Sequence, residues 1–221
     1  IIVHGGGPRI KIELAKLNIE SQFINGLRVT DKQTMKIVEK ALVDFNSEIV
    51  EKLKKRECKA AGLNISQNNI FIVEQENESL GFVGRPKKVL NEKIQIIIDQ
   101  QQIPVISPMG KDLEGKKYNI NADTAAASIA KSLRSRRLLL MTDVAGVYDE
   151  NKKLINEIKP AEAKKLIDRK IVEGGMIPKL LNSIDAIENG VKGVVIIDGR
   201  KLHSILHEIF SDEGSGTLIR K

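Results

Sequence analysis

The stretch "IIVHGGGPRIKIEL" (residues 1–14) decides which fold to expect. Apolar residues lead into three glycines and Pro8, and an amphipathic run follows them. This order predicts a strand, a tight glycine turn and a helix that begins at the proline. A helix that starts just after a strand presents backbone N–H groups, which suit an anion. A tight turn without a ligand is the alternative that this stretch leaves open.

Beyond this stretch, apolar strand-like runs alternate with helical patterns. The longest helical pattern runs from about Asp31 to Lys54, and Thr30 with Gln33 matches a capping box at its start. "RLLLMT" (residues 137–142) is typical of a strand buried on both faces. The alternation predicts an α/β protein with a largely parallel sheet and helices on both faces. Ligands of such sheets bind at the carboxyl ends of the strands.

Composition limits the classes of partner. The chain has 221 residues, a net charge of +7 and a pI near 9.4, which favour anionic ligands or a solvated basic surface. It contains no Trp and only 3% aromatic residues, so a stacking surface for nucleic acid is not expected. Cys58 is the only cysteine, which favours a reducing compartment. No apolar run approaches the roughly 20 residues that span a bilayer, so no membrane partner is expected.

Polar residues beside the predicted elements are candidates for ligand binding. Arg28 precedes the long helix, where it could grip a carboxylate with both nitrogens or remain a surface arginine. Asn119 and Asn121 alternate around Ile120, so both face one way in an extended segment. Asp123 falls at a helix start, as a cap, a first-turn carboxylate or a group that orients lysines.

Two further candidates lie later in the chain. Lys179 is in the first turn of a predicted helix, where it opposes the helix dipole unless an anion shares the site. Asp143 follows a strand in "TDVAGVY" (residues 142–148), which could seat a nucleoside or only form a turn. His203 and His207 are four residues apart, but no third ligand is evident, so no protein-held metal is expected.

Together and in this order, these motifs resemble the amino acid kinase superfamily, and closely the N-acetyl-L-glutamate kinases. The resemblance runs along the whole chain, and no single motif would carry it. The motifs are "VHGGGP", "FINGLRVTD", "LGFVG", "PVISPMG", "YNINADTAAA", "LLLMTDVAGV", "EGGMIPKL" and "IIDGR" followed by "HSILHEIFSDEGSGTLI". Carbamate, uridylate and glutamate 5-kinases of the superfamily, and a non-catalytic binding module, are the alternatives.

The resemblance implies a three-layer α/β/α sandwich around a mainly parallel open sheet. It implies phosphorylation of the side-chain carboxylate of N-acetyl-L-glutamate by ATP with Mg²⁺, a step toward arginine. The metal would be held mainly by the nucleotide phosphates. Residues 1–136 would form the lobe for acetylglutamate and for oligomerisation, and residues 137–221 would form the lobe for ATP.

The resemblance also implies roles for individual residues. Gly6, Asp123 and Lys179 would be catalytic: Asp123 would organise the lysines and Lys179 would neutralise the transferring phosphoryl group. The acidic substrate would be bound by Gly5, Gly6, Gly7, Arg28, Asn119 and Asn121. ATP would be bordered by Thr142, Asp143, Val144, Gly146, Val147, Tyr148, Ile171, Val172, Glu173 and Lys179.

Regulation and assembly are implied by the C-terminal "DEGSGTLI" (residues 212–219), which resembles members inhibited by arginine. Glu213, Gly214 and Gly216 would bind that inhibitor. A homo-oligomer, either a dimer or a hexamer built as a trimer of dimers, is expected, and a P-II signal protein is a further expected partner. The compartment would be a bacterial cytoplasm or a plastid stroma. The family also carries an upstream strand and glycine loop with a second catalytic lysine, a segment that this sequence does not include.

Overall fold

The computed structural model describes residues 1–211 and 214–221. The chain divides into two compact units, residues 1–126 and residues 127–221. The division lies within the helix Ala122–Ser132, whereas the sequence places the end of the first lobe at residue 136. Within the described ranges, no helix is long and apolar enough to cross a lipid bilayer.

Parallel and mixed sheets with helices build the first unit. Its strands are β1 (Ile2–Val3), β2 (Phe23–Ile24), β3 (Leu27–Arg28), β4 (Ala60–Leu63), β5 (Phe71–Gln75), β6 (Gly84–Val89), β7 (Ile103–Ile106), β8 (Met109–Lys111) and β9 (Lys117–Asn119). Its helices are α1 (Gly7–Ala15), α2 (Lys32–Lys54), α3 (Asn91–Asp99) and the start of α4 (Ala122–Ser132). Strands β1, β7 and β4 form a parallel sheet in that order, with Ile2 opposite Val105. Strands β6, β5, β8 and β9 form a second sheet in which β5 and β8 run parallel and the outer pairs run antiparallel.

The buried face of α2 supports the parallel sheet. Val38, Leu42, Asn46 and Val50 recur every fourth residue, which places them on one side of the helix, and all are buried. This face packs against α1, β4 and β7. The helix therefore lies directly behind the loop that connects β1 to α1.

The start of α2 differs from the sequence prediction. Asp31 is the cap, because its carboxylate accepts the Thr34 N–H at 2.7 Å. The predicted capping box of Thr30 and Gln33 is wrong. Thr30 is fully buried instead, and its hydroxyl donates to the Arg28 carbonyl at 2.9 Å.

Residues 23–28 form the hairpin β2–β3. Asn25 and Gly26 make its turn, with φ angles of 50° and 79°. Positive φ at both central residues is characteristic of a type I′ turn, for which Asn-Gly is the strongest sequence signal. The hairpin ends at Arg28, so its geometry fixes the position of the Arg28 Cα atom.

The second unit has a sheet of its own. Its strands are β10 (Leu138–Thr142), β11 (Glu157–Ile158), β12 (Val194–Asp198) and β13 (Gly216–Ile219). Its helices are the rest of α4, α5 (Pro160–Asp168), α6 (Met176–Glu188) and α7 (Ser204–Phe210). The order is β10–β12–β13–β11, with β12 and β13 antiparallel and the other two pairs parallel.

The predicted α/β class with mainly parallel pairing is confirmed. One detail of the second unit is wrong. β10 stands at one end of its sheet, and Met141 on it is 47% exposed, so this strand is not buried on both faces as the apolar run suggested. The strand that is buried along its whole length is β12.

Candidate active site

A cavity of about 180 Å³ lies in the first unit, where the glycine loop, the hairpin and the start of α4 meet. It collects all six residues that the sequence assigned to the acidic substrate. Its walls are Gly5, Gly6, Gly7, Ile10, Phe23, Gly26, Leu27, Arg28, Leu42, Val83, Pro108, Asn119, Ile120, Asn121 and Ala122. Segments distant in sequence therefore converge on one small polar pocket.

The glycine loop forms one wall of this cavity. A Cβ on Gly6 would come within 2.4 Å of Leu42 Cδ2, so the backbone can approach α2 only without a side chain. Helix α1 begins at Gly7, with Pro8 in its first positions. The first N–H groups of a helix have no partner within that helix, so this end of α1 can donate to an anion.

Arg28 is held in place by three contacts within the first unit. Its Nη1 donates to Ser21 Oγ, and its Nη2 lies 3.5 Å from the Gly7 carbonyl oxygen. Its guanidinium carbon lies 4.7 Å from the centre of the Phe23 ring. Partial burial lowers the pKa of Arg28, but an arginine with so high a reference value stays charged at neutral pH. The result is a fixed cation at the edge of the pocket.

Asn119 and Asn121 also line the cavity. Asn119 ends β9, and its N–H donates to the Phe82 carbonyl at 2.9 Å. Asn121 caps α4, because its Oδ1 accepts the N–H groups of Asp123 and Thr124 at 3.0 and 3.1 Å. Asp123 is therefore a first-turn residue rather than the cap. The cap occupies the carboxamide oxygen of Asn121, which leaves its amide nitrogen as the atom suited to a ligand.

In the second unit, the stretch from Thr142 to Tyr148 is anchored at two points. The Gly199 N–H donates to the Thr142 carbonyl at 2.8 Å, and the Val147 N–H donates to Thr217 Oγ1 at 2.8 Å. A Cβ on Gly146 would lie 2.5 Å from the same Thr217 hydroxyl. Val144 is half-buried between the anchors, whereas Asp143 and Tyr148 are exposed.

The other residues assigned to the nucleotide lie around the start of α6. Val172 is buried, the Ile171 N–H donates to the Leu166 carbonyl at 3.0 Å, and Glu173 is exposed. Lys179 is half-buried in the first turn of α6, as the sequence predicted. Helices α5 and α6 pack together, which fixes this connection.

Sequence reasoning missed an ion pair at the carboxyl end of β12. Arg200 Nε and Nη2 each lie 3.0 Å from an oxygen of Asp198, and the Arg200 N–H adds a third contact at 3.0 Å. These contacts lower the pKa of Asp198 to about 2, and the same pairing raises the pKa of Arg200. The "DGR" sequence (residues 198–200) is the signal that could have identified this pair.

The candidate inhibitor residues that the structure describes are Gly214, which follows α7, and Gly216. Glu213 lies outside the described residues. Gly214 adopts a φ of 69°, and its carbonyl oxygen lies 3.1 Å from His207 Nδ1. Gly216 starts β13, where a Cβ would lie 2.0 Å from the Ile196 carbonyl oxygen. The backbone therefore favours glycine at both positions, at Gly214 because of its positive φ and at Gly216 because a Cβ would clash.

Across residues 1–211 and 214–221, no three His, Cys, Asp or Glu side chains come together in a group that could hold a metal ion. His203 and His207 belong to separate environments. His203 precedes α7 with a φ of 60°, whereas His207 contacts Ser211 and the Gly214 carbonyl.

The sequence and the fold both have known relatives. Residues 1–198 match the model of the amino acid kinase family. The chain is 56% identical over 221 residues to an acetylglutamate kinase of Pelagibacter ubique (strain HTCC1062), covering 100% of this chain and 77% of that protein. It is 48% identical over 227 residues to an acetylglutamate kinase of Caldanaerobacter subterraneus subsp. tengcongensis, covering 100% and 76%. A solved structure from Streptococcus mutans UA159 superposes with a TM-score of 0.87 at 31% identity, covering 100% of this chain and 85% of that one.

Proposed function

Because the chain belongs to the amino acid kinase family, we propose that it transfers a phosphoryl group from ATP to N-acetyl-L-glutamate. The acceptor is the side-chain carboxylate, and the product is N-acetyl-L-glutamyl 5-phosphate. The observation that carries this assignment is the cavity of the first unit, which joins a glycine loop, a fixed guanidinium and a carboxamide. That donor set matches an acidic substrate that carries an amide.

The size of the cavity supports a small acceptor. Pockets for drug-sized ligands measure roughly 300–1,000 Å³, and this cavity measures about 180 Å³. Arg28 pairs with the α-carboxylate, because its planar fork suits a carboxylate. Asn119 and Asn121, which also line the cavity, bind the substrate. The amides of Gly5, Gly6 and Gly7 then face the reacting carboxylate and the incoming phosphoryl group.

The reaction needs positioning and charge stabilisation more than covalent help. An oxygen of the substrate carboxylate attacks the γ-phosphorus of ATP, the new O–P bond forms, and the P–O bond to ADP breaks. The carboxylate is already ionised at neutral pH, so no general base is required. Amide dipoles of the glycine loop reduce the charge repulsion at the acceptor, and Lys179 supplies positive charge for the phosphoryl group. The role of Asp123 in orienting lysines stays a prediction.

We assign ATP to residues of the second unit: Thr142–Tyr148, Ile171–Glu173 and Lys179. The support is their position at strand and helix ends of an α/β sheet, where such folds bind ligands. The phosphates of ATP supply the oxygen ligands that Mg²⁺ prefers. When bound, the ion neutralises phosphate charge, and the protein residues named here position the nucleotide.

We extend the proposal to regulation. Arginine inhibits the enzyme at a site formed by Glu213, Gly214 and Gly216. The chain works as a homo-oligomer in a bacterial cytoplasm, in keeping with the bacterial relatives. A P-II partner stays a prediction. If millimolar arginine left the rate of the full-length enzyme unchanged, the inhibitor assignment would be wrong.

A panel of acceptors tests the main proposal. Release of ADP by the full-length protein is measured with N-acetyl-L-glutamate, glutamate, carbamate and uridylate, and a reaction without acceptor gives the background. We expect turnover with N-acetyl-L-glutamate alone, with the acyl phosphate trapped as a hydroxamate. Turnover with carbamate or uridylate instead would assign another activity of the family. Tight ATP binding without turnover of any acceptor would indicate a binding module.

A further inference from the structure

His4 lies directly behind the glycine loop, at the end of β1, and is only 6% exposed. Its ring packs edge-on against Phe45, with 5.1 Å between ring centres. Its Nδ1 lies 2.9 Å from the Gly5 carbonyl oxygen, and its Nε2 lies 3.2 Å from Asn46 Nδ2. Both ring nitrogens therefore have a polar partner, and each partner constrains the proton on the ring.

The orientation of Asn46 is set by the backbone of β7. Its Nδ2 donates to the Val105 carbonyl at 2.9 Å, and its Oδ1 accepts from Asn64 Nδ2 at 3.4 Å. A flipped carboxamide would place its oxygen against the Val105 carbonyl oxygen, which offers no proton. The amide nitrogen must therefore face both Val105 and His4.

This orientation determines the tautomer of His4. Because the amide nitrogen of Asn46 can only donate, His4 Nε2 must carry the lone pair. The ring proton is then on Nδ1, which donates to the Gly5 carbonyl. Burial lowers the pKa of His4, and the nearby charge of Arg9 acts in the same direction, so the ring stays neutral.

The Gly5 carbonyl belongs to the peptide that joins Gly5 to Gly6. In a planar trans peptide, the N–H points away from the carbonyl. Fixing the carbonyl against His4 therefore directs the Gly6 N–H to the other side, and Gly5 and Gly6 line the cavity whereas His4 does not. Leu42 fills the space beneath Gly6 and prevents the loop from sinking toward α2.

We propose that His4 and Asn46 are positioning residues, which hold the Gly5–Gly6 peptide so that the Gly6 N–H is aimed at the reacting groups. The positioning role rests on the proposed phosphoryl transfer. The tautomer of His4 does not depend on that proposal. The ordered chain runs from the β7 backbone through Asn46 and His4 to the loop. Each link of this chain is a hydrogen bond between groups of the protein itself.

The tautomer is measured directly by long-range ¹H–¹⁵N NMR of the imidazole rings in the full chain. The chain has three histidines, so the signal that disappears in His4→Gln belongs to His4. We expect the proton on Nδ1 and an unprotonated Nε2. A proton on Nε2 would overturn the proposal, whether or not the protein phosphorylates acetylglutamate. A wild-type protein with the expected tautomer and no kinase activity would contradict the proposed function instead.

Two substitutions distinguish a positioning role of His4 from a general contribution of its ring to stability. His4→Asn keeps an amide donor near the position of Nδ1, whereas His4→Gln places its amide near the position of Nε2. Both remove the ring, so both should lower the melting temperature. We expect His4→Gln to lose about tenfold to a hundredfold in kcat with an unchanged KM for ATP, because small displacements of catalytic groups cost that much. His4→Asn should retain most of the kcat, and equal kcat losses in the two variants would overturn the proposal.

Asn46→Asp gives a third readout. A carboxylate only accepts, so it favours a proton on Nε2, either in the other neutral tautomer or in a doubly protonated ring. The NMR signal of His4 should then show a proton on Nε2, which the wild type lacks. An unchanged tautomer in a folded Asn46→Asp protein would show that Asn46 does not set it. If that variant does not fold, the wild-type NMR measurement still decides the proposal.

Discussion

The two units prepare for their ligands in different ways. In the first unit, the cavity walls are supported from behind: Leu42 lies under Gly6, His4 holds Gly5, and Ser21 and Phe23 hold Arg28. In the second unit, the nucleotide stretch is tied at Thr142 and Val147 and exposes Asp143 between them. The proposed acceptor site is thus supported along its backbone, whereas the stretch proposed to bind the nucleotide depends on a few anchors. Substitutions in the two units should therefore differ in both size and kind.

The largest effect is expected from Gly6→Ala. The new methyl group would meet Leu42 Cδ2 at 2.4 Å, so either the loop moves away from α2 or the buried Leu42 side chain shifts. A displacement of about 1 Å costs roughly a hundredfold in rate. We therefore expect a fall of this size in kcat/KM for acetylglutamate, measured by ADP release. The double variant Gly6→Ala, Leu42→Val removes the opposing methyl group and should recover part of the loss, whereas no recovery would show that the contact is not the cause.

Arg28→Ala is expected to have the next largest effect. Charge-assisted hydrogen bonds contribute about 1.5–3 kcal/mol each, so the KM for acetylglutamate should rise about tenfold to a hundredfold. The KM for ATP should stay nearly constant, because Arg28 lies in the cavity of the first unit. Steady-state kinetics with each substrate varied in turn measure both constants. Arg28→Lys is the matched control that keeps the charge without the fork, and equal losses for both substrates would remove Arg28 from its assigned role.

A smaller effect is expected from Thr217→Val in the second unit. This change removes the hydroxyl that accepts the Val147 N–H and donates to the Ile155 carbonyl at 2.6 Å. The loss of these two hydrogen bonds costs about 1 kcal/mol each. Each kcal/mol corresponds to about 2–4 °C in melting temperature for a chain of this size. The KM for ATP should rise while the KM for acetylglutamate does not. Thr217→Ser keeps the hydroxyl and should resemble the wild type, whereas a change confined to acetylglutamate would contradict the assignment of ATP to this unit.

The smallest effect concerns the pH dependence of stability. Pairing with Arg200 lowers the pKa of Asp198 to about 2, below its value near 3.9 in an unfolded chain. The native state therefore binds fewer protons, and the stabilisation is complete above about pH 4 and is lost as the pH falls toward 2. The difference in melting temperature between wild type and Asp198→Asn should shrink between pH 6 and pH 3. A difference that stays constant over this range would show that the ion pair does not contribute.

Much of the fold follows from sequence because its signals are local. The glycine turn before Pro8, the pattern of α2 and the order of strands and helices each depend on neighbouring residues, and the α/β class and the family are confirmed. The cap of α2 was wrong by one residue because Thr30 and Asp31 are both good capping residues, and only burial distinguishes them. The hairpin at Asn25 and Gly26 could also have been predicted, because Asn-Gly is a local turn signal.

The support of the site could not be predicted in the same way. Asn46 lies in the middle of a helix and looks like an ordinary polar residue, and its contacts with His4 and Val105 join segments 42 and 59 positions away. Tertiary packing alone creates such contacts. That Arg28 and Asn119 line one cavity could not be predicted from the sequence either. The sequence suggested the ligand, but only the fold brings these residues together.

The hairpin β2–β3 carries a consequence for the evolution of substrate choice. It forms a two-stranded sheet separate from the parallel sheet of its unit, and it supplies Arg28 together with Phe23, Gly26 and Leu27 to the cavity. Its strands meet in a two-residue turn, so its register is fixed locally. With Arg28 in its proposed role, exchange of residues 21–29 would change the acceptor-binding side of the pocket. The choice of acceptor would then depend on one short hairpin.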